Sequence, residues 1–138
     1  MSTEFALHEK LEADTRLVAD LPLCSCLLMD DARFPWLILV PRIPGLREFH
    51  EVPKNEQPQL LKEIERVSVT LQKISNAHKL NVAALGNQVP QLHIHVIARQ
   101  TTDSAWPGPV WGVGTTEPYQ SDARATFIQA LQTELGTP

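Results

Sequence analysis

The chain has 138 residues, of which 43% are hydrophobic and 20% are charged, and its formal net charge is -4. This length is typical of a single domain, here 1–138, which can bury roughly 70% of the surface that its unfolded chain exposes. The acidic balance offers no basic surface, so neither nucleic acid nor a membrane is an expected partner. The longest apolar run, 36–40, is too short to cross a bilayer, and the N-terminus lacks a signal-peptide pattern. We therefore expect a cytoplasmic protein.

The hydrophobic pattern of the first half predicts a short helix followed by three strands. In chain order these are a helix over 4–14, strands over 15–21 and 22–29, and a strand over 36–40. The last strand is apolar throughout, which favours a central position buried on both faces. Cys24 and Cys26 are the only cysteines, and extended geometry does not favour a disulfide between them. We interpret both as core or edge thiols.

The second half predicts the main helix, a hairpin and a terminal helix. Its elements are a helix opening at 53–56 and running to about Leu80, strands over 81–85 and 91–99 joined by a tight connection at 86–90, and a helix over 121–135. The segment 101–119, rich in Gly, Pro and Trp, is interpreted as an ordered loop. Because the strands do not alternate with helices, the order favours an α+β fold with an antiparallel sheet of about five strands.

The stretch Gln91-Leu92-His93-Ile94-His95-Val96-Ile97 alternates polar and apolar residues. Successive side chains of a strand point to opposite faces, so Gln91, His93 and His95 should project together, each roughly 7 Å from the next. The apolar residues between them should face the core. Two imidazole rings on one face make this strand the leading candidate for a functional site.

Three interpretations of the two histidines are compatible with this pattern. They could be structural, although two buried polar rings would both need hydrogen-bond partners. They could supply two ligands to a metal ion, but a zinc site needs at least one further ligand, and the spacing identifies none. They could act in nucleophilic catalysis, because a neutral imidazole nitrogen can attack an electrophile such as phosphorus without a separate base.

The tripeptide Gly86-Asn87-Gln88, just before the histidine strand, is a candidate phosphate-binding turn. Its backbone N–H groups and two neutral amides could hold a phosphate without repelling an anionic transition state. By itself the tripeptide indicates no more than a hairpin turn. The neighbouring histidines give the phosphate interpretation its weight.

The histidine strand resembles the signature of the histidine triad (HIT) superfamily, His-φ-His-φ-His-φ-φ with φ apolar, and Gln91 stands in place of the first histidine. The strand 36–41 with its closing proline, the turn Arg47-Glu48-Phe49-His50-Glu51 and the pair Trp106-Pro107 are similar to segments of Fhit-like and Hint-like members. The likeness thus extends over much of the chain. It implies a HIT-like fold with one long helix and a C-terminal helix.

The resemblance also implies hydrolysis or nucleotidyl transfer at the α-phosphate of a nucleotide conjugate, either a phosphoramidate or a dinucleoside polyphosphate. His93 takes the place of the family's nucleophile and would form a nucleotidyl-histidine intermediate. His95 would contact the phosphate or the leaving atom. Asn87 and Gln88 fall where the family places polar side chains against the phosphate, and Gln91 could keep a supporting hydrogen bond there.

The resemblance also implies which residues surround the rest of the ligand. The family's ribose contact precedes the buried strand, where Asp30 or Asp31 could accept from the hydroxyls. Trp36 stands where many members carry another active-site histidine, and it could be an aromatic wall or part of the core.

The implied ligand is a purine nucleotide conjugate and the implied assembly a homodimer. No cofactor or resident metal is implied for the covalent step, although a divalent metal could arrive with the substrate. Because glutamine at position 91 cannot become cationic or supply a proton, a nucleotide-binding module with little or no catalysis stays the alternative.

Overall fold

The computed structural model describes residues 4–138. Its helices are α1 (Glu9–Asp14), α2 (Gln57–Ser75) and α3 (Ser121–Leu135), and its strands are β1 (Thr15–Asp20), β2 (Cys24–Met29), β3 (Trp36–Pro41), β4 (Lys79–Ala83) and β5 (Ile94–Arg99). A 3-10 turn at Phe49–Glu51 lies between β3 and α2. The strands form one sheet in the order β1-β2-β3-β5-β4, with every neighbouring pair antiparallel. The predicted α+β fold is confirmed.

The middle strand β3 separates two apolar clusters, one on each face of the sheet. All of its residues are buried, as its apolar run predicts. Leu37 and Leu39 belong to the first cluster, which α2 and α3 cover. Trp36, Ile38 and Val40 belong to the second cluster, which is covered by α1 and by the loop that precedes α3.

The same alternation on β5 decides where the histidine strand presents its polar residues. Ile94 and Val96 join the first cluster, beneath the helices. Ile97 belongs to the second cluster, and His95, two residues before it, shares its face. The candidate functional strand therefore presents His95 on the face covered by α1 and the C-terminal loop.

The helix α2 begins later than its apolar pattern predicts. It starts at Gln57 rather than at 53, and residues 53–56 form a turn in which Glu56 donates its backbone N–H to the Pro53 carbonyl. Pro58 lies in the first helical turn, where its missing N–H costs no helical hydrogen bond. No helix within residues 4–138 has the length and apolar character needed to cross a membrane.

The predicted end of α2 near Leu80 is wrong, and the following strand begins earlier than predicted. Asn76 adopts a left-handed conformation with φ of 52° and donates its N–H to Gln72, which closes the helix after Ser75. β4 therefore begins at Lys79, two residues before the predicted strand. Apolar residues beyond the cap belong to this strand, although their spacing also fits a helix.

The predicted tight turn at 86–90 and a strand beginning at Gln91 are also wrong. Ala83 of β4 pairs with His95 of β5, so the residues between them form a long connection, and β5 begins at Ile94. Leu92 donates its backbone N–H to Leu46, at 2.9 Å, in the loop after β3. This bond draws the chain away from β4 just before the strand. His93 therefore ends the connection, while His95 lies on β5.

Candidate active site

A cavity of about 310 Å³ opens on the face of the sheet that carries His95. Its polar lining comes from His93, His95 and residues 86–88, together with Lys10 and Asp14 of α1. The rest of its wall is apolar and consists of Leu11, Met29, Trp36, Ile38, Leu85, Val89 and Trp111, with Gly112 beside them. A concave apolar wall with a few converging polar groups is the usual form of a site for a small organic ligand.

His93 is 6% exposed, and a single hydrogen bond fixes which of its ring nitrogens carries the proton. Its Nδ1 lies 2.7 Å from the backbone carbonyl oxygen of Gln91. A carbonyl can only accept, so Nδ1 carries the hydrogen and Nε2 keeps its lone pair. Burial lowers the pKa of His93 below its usual 6.5, although the Gln91 carbonyl opposes that shift. At neutral pH the ring is therefore a neutral base with its nucleophilic nitrogen at Nε2.

His95 is 5% exposed and takes the opposite tautomer. Its Nδ1 accepts a hydrogen bond from the indole Nε1–H of Trp36, at 3.0 Å. Indole is a donor only, so Nδ1 is unprotonated and Nε2 carries the hydrogen. Burial, followed by repulsion from His93, lowers the pKa of His95 to about 3. His95 is therefore neutral at physiological pH and can offer an N–H to a ligand oxygen.

The rings around the two histidines form an aromatic enclosure. The His93 and His95 centroids are 4.8 Å apart with the ring planes at 68°, closer than the roughly 7 Å expected for alternate residues of one strand. Trp111 lies edge-on to His95 at 5.1 Å, and Trp36 lies 5.9 Å from Trp111. Trp36 is both buried in the second cluster and part of the cavity wall.

Sequence reasoning did not identify Trp111 as a site residue, since only the ordered character of its loop was predicted. Two arginines hold that loop in place, Arg33 from the connection between β2 and β3 and the buried Arg99 from β5. Arg33, whose guanidinium also binds Asp31, donates to the Val113 carbonyl at 2.5 Å, and Arg99 donates to Asp103 and Gly108. A large aromatic residue between the apolar Val110 and Gly112 was the available signal.

Asn87 and Gln88 line the cavity beside the histidines, as the phosphate interpretation requires. Both side chains are exposed, and neither amide has a hydrogen-bond partner within residues 4–138. Gly86 has φ of +76°, a backbone conformation that residues with a side chain rarely adopt, and this favours glycine at the bend. The loop thus presents two unengaged amides to whatever occupies the cavity.

The structure does not place Gln91 with His93 and His95 on one strand face, so that part of the prediction is wrong. Its Oε1 accepts from the backbone N–H of His8 at 2.8 Å, and its Nε2 donates to the Ala6 carbonyl at 2.9 Å. Gln91 is not among the residues that line the cavity. The cause is local, because the chain is already outside the strand at this position. Both polar atoms of the amide hold the N-terminal segment.

The two candidate ribose carboxylates do not line the cavity either. Asp30 accepts from the Tyr119 backbone N–H at 3.0 Å and faces Arg124 at 3.5 Å. Asp31 is buried, and both of its oxygens accept from the Arg33 guanidinium, at 3.0 and 2.8 Å. These carboxylates organise the loops around the site. The proposed ribose contact has no support from their placement.

Helix α1 supplies site residues that the sequence pattern did not identify. Lys10, Leu11 and Asp14 all line the cavity, and Lys10 forms an ion pair with Asp14 at 3.1 Å. Among the described residues, Asp14 supplies the one carboxylate of the cavity lining. The i, i+4 spacing placed the two charges on one helix face, but nothing local indicated which surface they would border.

The metal interpretation of the histidine pair requires at least one more ligand. Among residues 4–138, no three His, Cys, Asp or Glu side chains converge where they could hold a metal ion. His93 and His95 instead use one ring nitrogen each for a bond within the protein.

Comparison with known families and structures agrees with this geometry. A family model described as the HIT domain matches residues 10–102, a span that contains β1 to β5 and both histidines. The chain belongs to the HIT domain family. The resemblance of the histidine strand to the histidine triad signature is thereby confirmed at the family level.

Solved structures of HIT proteins resemble the chain over nearly its full length. A histidine triad protein from Bradyrhizobium japonicum is 47% identical, with a TM-score of 0.94 over 96% of this chain and 98% of that one. One from Marinobacter aquaeolei VT8 is also 47% identical, with a TM-score of 0.93 over 96% of each chain. One from Sinorhizobium meliloti 1021 is 44% identical, with a TM-score of 0.92 over 95% and 97%. No curated protein matches the chain.

Members of the HIT family are nucleotide-binding hydrolases or transferases. Nucleotides are therefore the general ligand class of the family to which this chain belongs.

Proposed function

We propose that this HIT protein is a nucleotide hydrolase or nucleotidyl transferase that attacks the α-phosphate of a nucleotide conjugate with His93. The observation that carries the proposal is the bond from His93 Nδ1–H to the Gln91 carbonyl, at 2.7 Å. That bond leaves the lone pair of Nε2 unengaged on a ring that lines the cavity. A neutral imidazole of this kind is a nucleophile at physiological pH without a separate base.

In the first step, His93 Nε2 attacks phosphorus, a P–N bond forms, and the bond from phosphorus to the leaving oxygen or nitrogen breaks. The leaving atom carries away the electron pair and takes a proton from solvent or from a neighbouring group. In the second step, water attacks the same phosphorus, a P–O bond forms, the P–N bond breaks with its electron pair returning to Nε2, and the proton lost by water passes to solvent. His95 donates its Nε2–H to a phosphate oxygen or to the leaving atom, which stabilises the charge that develops there.

The remaining cavity residues fit the other parts of a purine nucleotide. Asn87 and Gln88 offer neutral donors to the phosphate oxygens, and the Gly86 bend brings backbone close to them. The apolar wall, with Leu11, Met29 and two tryptophans, suits the flat face of a purine base.

The test is the covalent intermediate itself. Incubation with adenosine phosphoramidate or a diadenosine polyphosphate, followed by rapid quenching, should trap acid-labile nucleotidylated protein. His93→Ala should abolish the adduct and lower turnover by at least about a thousandfold, because a nucleophile has no substitute. His50→Asn is the matched control, since His50 is exposed on the turn before α2, away from the cavity. Full turnover by His93→Ala would refute the proposal.

A second candidate is a nucleotide-binding module with little or no catalysis. The structure at position 91 favours it, because the glutamine amide is neutral and forms its hydrogen bonds with the N-terminal segment. Gln91 therefore supplies no acid to the site. Tight binding of nucleotides, with neither turnover nor trapped adduct across the same substrates, would establish it.

We also propose a homodimer, on the strength of family resemblance alone, and a cytoplasmic location, which is the default expectation from the sequence pattern. No cofactor is assigned to the covalent step, and a divalent metal would enter only with the phosphates of the substrate. Sedimentation equilibrium of the full chain gives the mass of the assembly. Turnover measured with and without a chelator tests the role of the divalent metal.

A further inference from the structure

The indole of Trp36 determines which ring nitrogen of His95 carries the hydrogen. Trp36 lies on β3, two residues from Ile38, and Ile38 pairs directly with His95 on β5. This diagonal relation brings the indole N–H to 3.0 Å from His95 Nδ1, with ring centroids 5.7 Å apart. Both side chains are at most 5% exposed, so water does not compete for the bond.

We propose that Trp36 is a positioning residue that fixes His95 as the Nε2–H tautomer and so makes it a neutral hydrogen-bond donor to the reacting phosphate or the leaving atom. The inference rests on the proposed function, since it assigns His95's part in that reaction. Trp36 touches neither phosphate nor leaving group in this scheme. It acts through the imidazole.

The physical argument is that both competing states of His95 would place two donors against each other. The other neutral tautomer and the imidazolium each carry a hydrogen on Nδ1, which would point at the indole N–H. In a buried site either state also leaves the indole N–H without an acceptor, which costs about as much as the hydrogen bond itself. Trp36 therefore disfavours both alternatives.

The result is a complementary pair of ring nitrogens facing the ligand. The Gln91 carbonyl fixes His93 with a lone pair at Nε2, and Trp36 fixes His95 with a hydrogen at Nε2. Within residues 4–138 neither Nε2 has a hydrogen-bond partner. Both nitrogens reach solvent, since Arg42 Nη1 is the one buried side-chain nitrogen or oxygen in these residues that lacks a hydrogen-bond partner. One nitrogen suits phosphorus and the other suits an oxygen bonded to it.

The first test is the tautomer itself, read from long-range proton–nitrogen correlations of the full chain labelled with ¹⁵N-histidine. His95 should show Nε2–H and His93 Nδ1–H in the wild-type protein. Trp36→Phe keeps an aromatic ring in the cavity wall and removes the indole donor, so His95 should become a mixture of tautomers while His93 stays unchanged. A wild-type His95 protonated at Nδ1, or no change in Trp36→Phe, overturns the proposal.

Trp111→Phe is the matched control for the spectrum. Trp111 also lies against His95, edge-on at 5.1 Å, but no hydrogen bond joins them. Its replacement should leave the tautomer of His95 unchanged. A change equal to that of Trp36→Phe would mean that ring packing, and not the indole donor, sets the tautomer, and would overturn the proposal.

The second test is kinetic and separates this inference from the proposed function. In single-turnover experiments at saturating nucleotide, Trp36→Phe should slow nucleotidylation of His93 by roughly tenfold, the equivalent of one hydrogen bond. An unchanged rate would overturn the positioning role while leaving His93 catalysis intact. If the wild-type protein forms no adduct, the proposed function fails, and the spectrum alone still decides the tautomer.

Discussion

The two histidines differ in what they present to a ligand although they are only two residues apart. His93 bonds through Nδ1–H to a carbonyl, and His95 accepts at Nδ1 from an indole. Burial lowers the pKa of each, to about 3 for His95. Neither ring is therefore charged at neutral pH, which separates this site from one that uses a cationic histidine as an acid.

A pH profile follows from those shifts. Protonation of His93 removes its nucleophilic lone pair, so nucleotidylation should fall as the pH drops through a pKa below 6.5. From about pH 7 to pH 8.5 the rate should be flat, because both rings are already neutral. Single-turnover rates across this range measure the profile, and His50→Asn should not displace its acid limb. A rate that increases toward acid pH would contradict it, since that requires protonated His95.

At this scale the sequence identified the two cavity histidines but not their hydrogen-bond partners. The alternation around His93 and His95 was visible locally, and the family signature assigned their order. The Trp36 donor lies 59 positions from His95, and the Gln91 amide bonds to residues 83 and 85 positions away. Contacts of that separation depend on how elements pack, which periodicity does not encode. Gln91 was accordingly predicted on the strand, whereas its amide bonds to the N-terminal segment.

At the scale of elements, Gln91 links the histidine connection to the N-terminal segment. Its amide bonds to the Ala6 carbonyl and the His8 N–H, the two groups that flank Leu7, as a neighbouring strand would. His8 then caps α1, accepting from the Lys10 N–H. A helix of six residues is not stable alone, so α1 depends on such anchors. Through α1, Gln91 positions one wall of the cavity.

Gln91→Ala should therefore weaken ligand binding more than chemistry. We expect the affinity for a nonhydrolysable nucleotide to fall by roughly three- to tenfold, and stability by about 1 kcal/mol, as two partly exposed hydrogen bonds are lost. The His8 amide should exchange its hydrogen faster. Gln91→Glu is the matched variant, because it keeps an acceptor for His8 but loses the donor to Ala6, and its effect should be intermediate. If Gln91→Ala kept its nucleotide affinity but lost most of its nucleotidylation rate, the result would instead support a direct role for Gln91 at the phosphate.

Element types followed from periodicity, while element ends did not. The apolar run of β3 and the spacing along α2 predicted a central strand and a long helix correctly. The end of α2 depends on a left-handed Asn76, and the start of β5 on a bond from Leu92 to Leu46. The first is the backbone conformation of a single residue, and the second is a contact between residues far apart in the sequence. A hydrophobic pattern predicts neither feature.

For the whole molecule, the sheet is shared by two cores, so we expect the chain to unfold as one domain. Leu39 and Ile38 are adjacent on β3, both fully buried, and face opposite clusters. Replacing either with alanine removes contacts on one face while weakening the strand that both faces need. Each variant should lower the free energy of unfolding by roughly 2–5 kcal/mol. If the cores are coupled, both losses should appear in one transition.

The measurement compares two probes during denaturation by urea. Far-UV circular dichroism follows the helices that cover the first cluster, whereas tryptophan fluorescence follows mainly Trp36 and Trp111 beside the second. In the wild-type protein and in both variants the two curves should coincide, because β2, β3 and β5 each contribute side chains to both clusters. Arg99 reinforces that coupling, since it ties the C-terminal loop to β5, and Arg33 ties the same loop to the connection between β2 and β3. A fluorescence transition that precedes the dichroism change in Ile38→Ala would show that the site face unfolds separately, and the chain would then consist of two cooperative units.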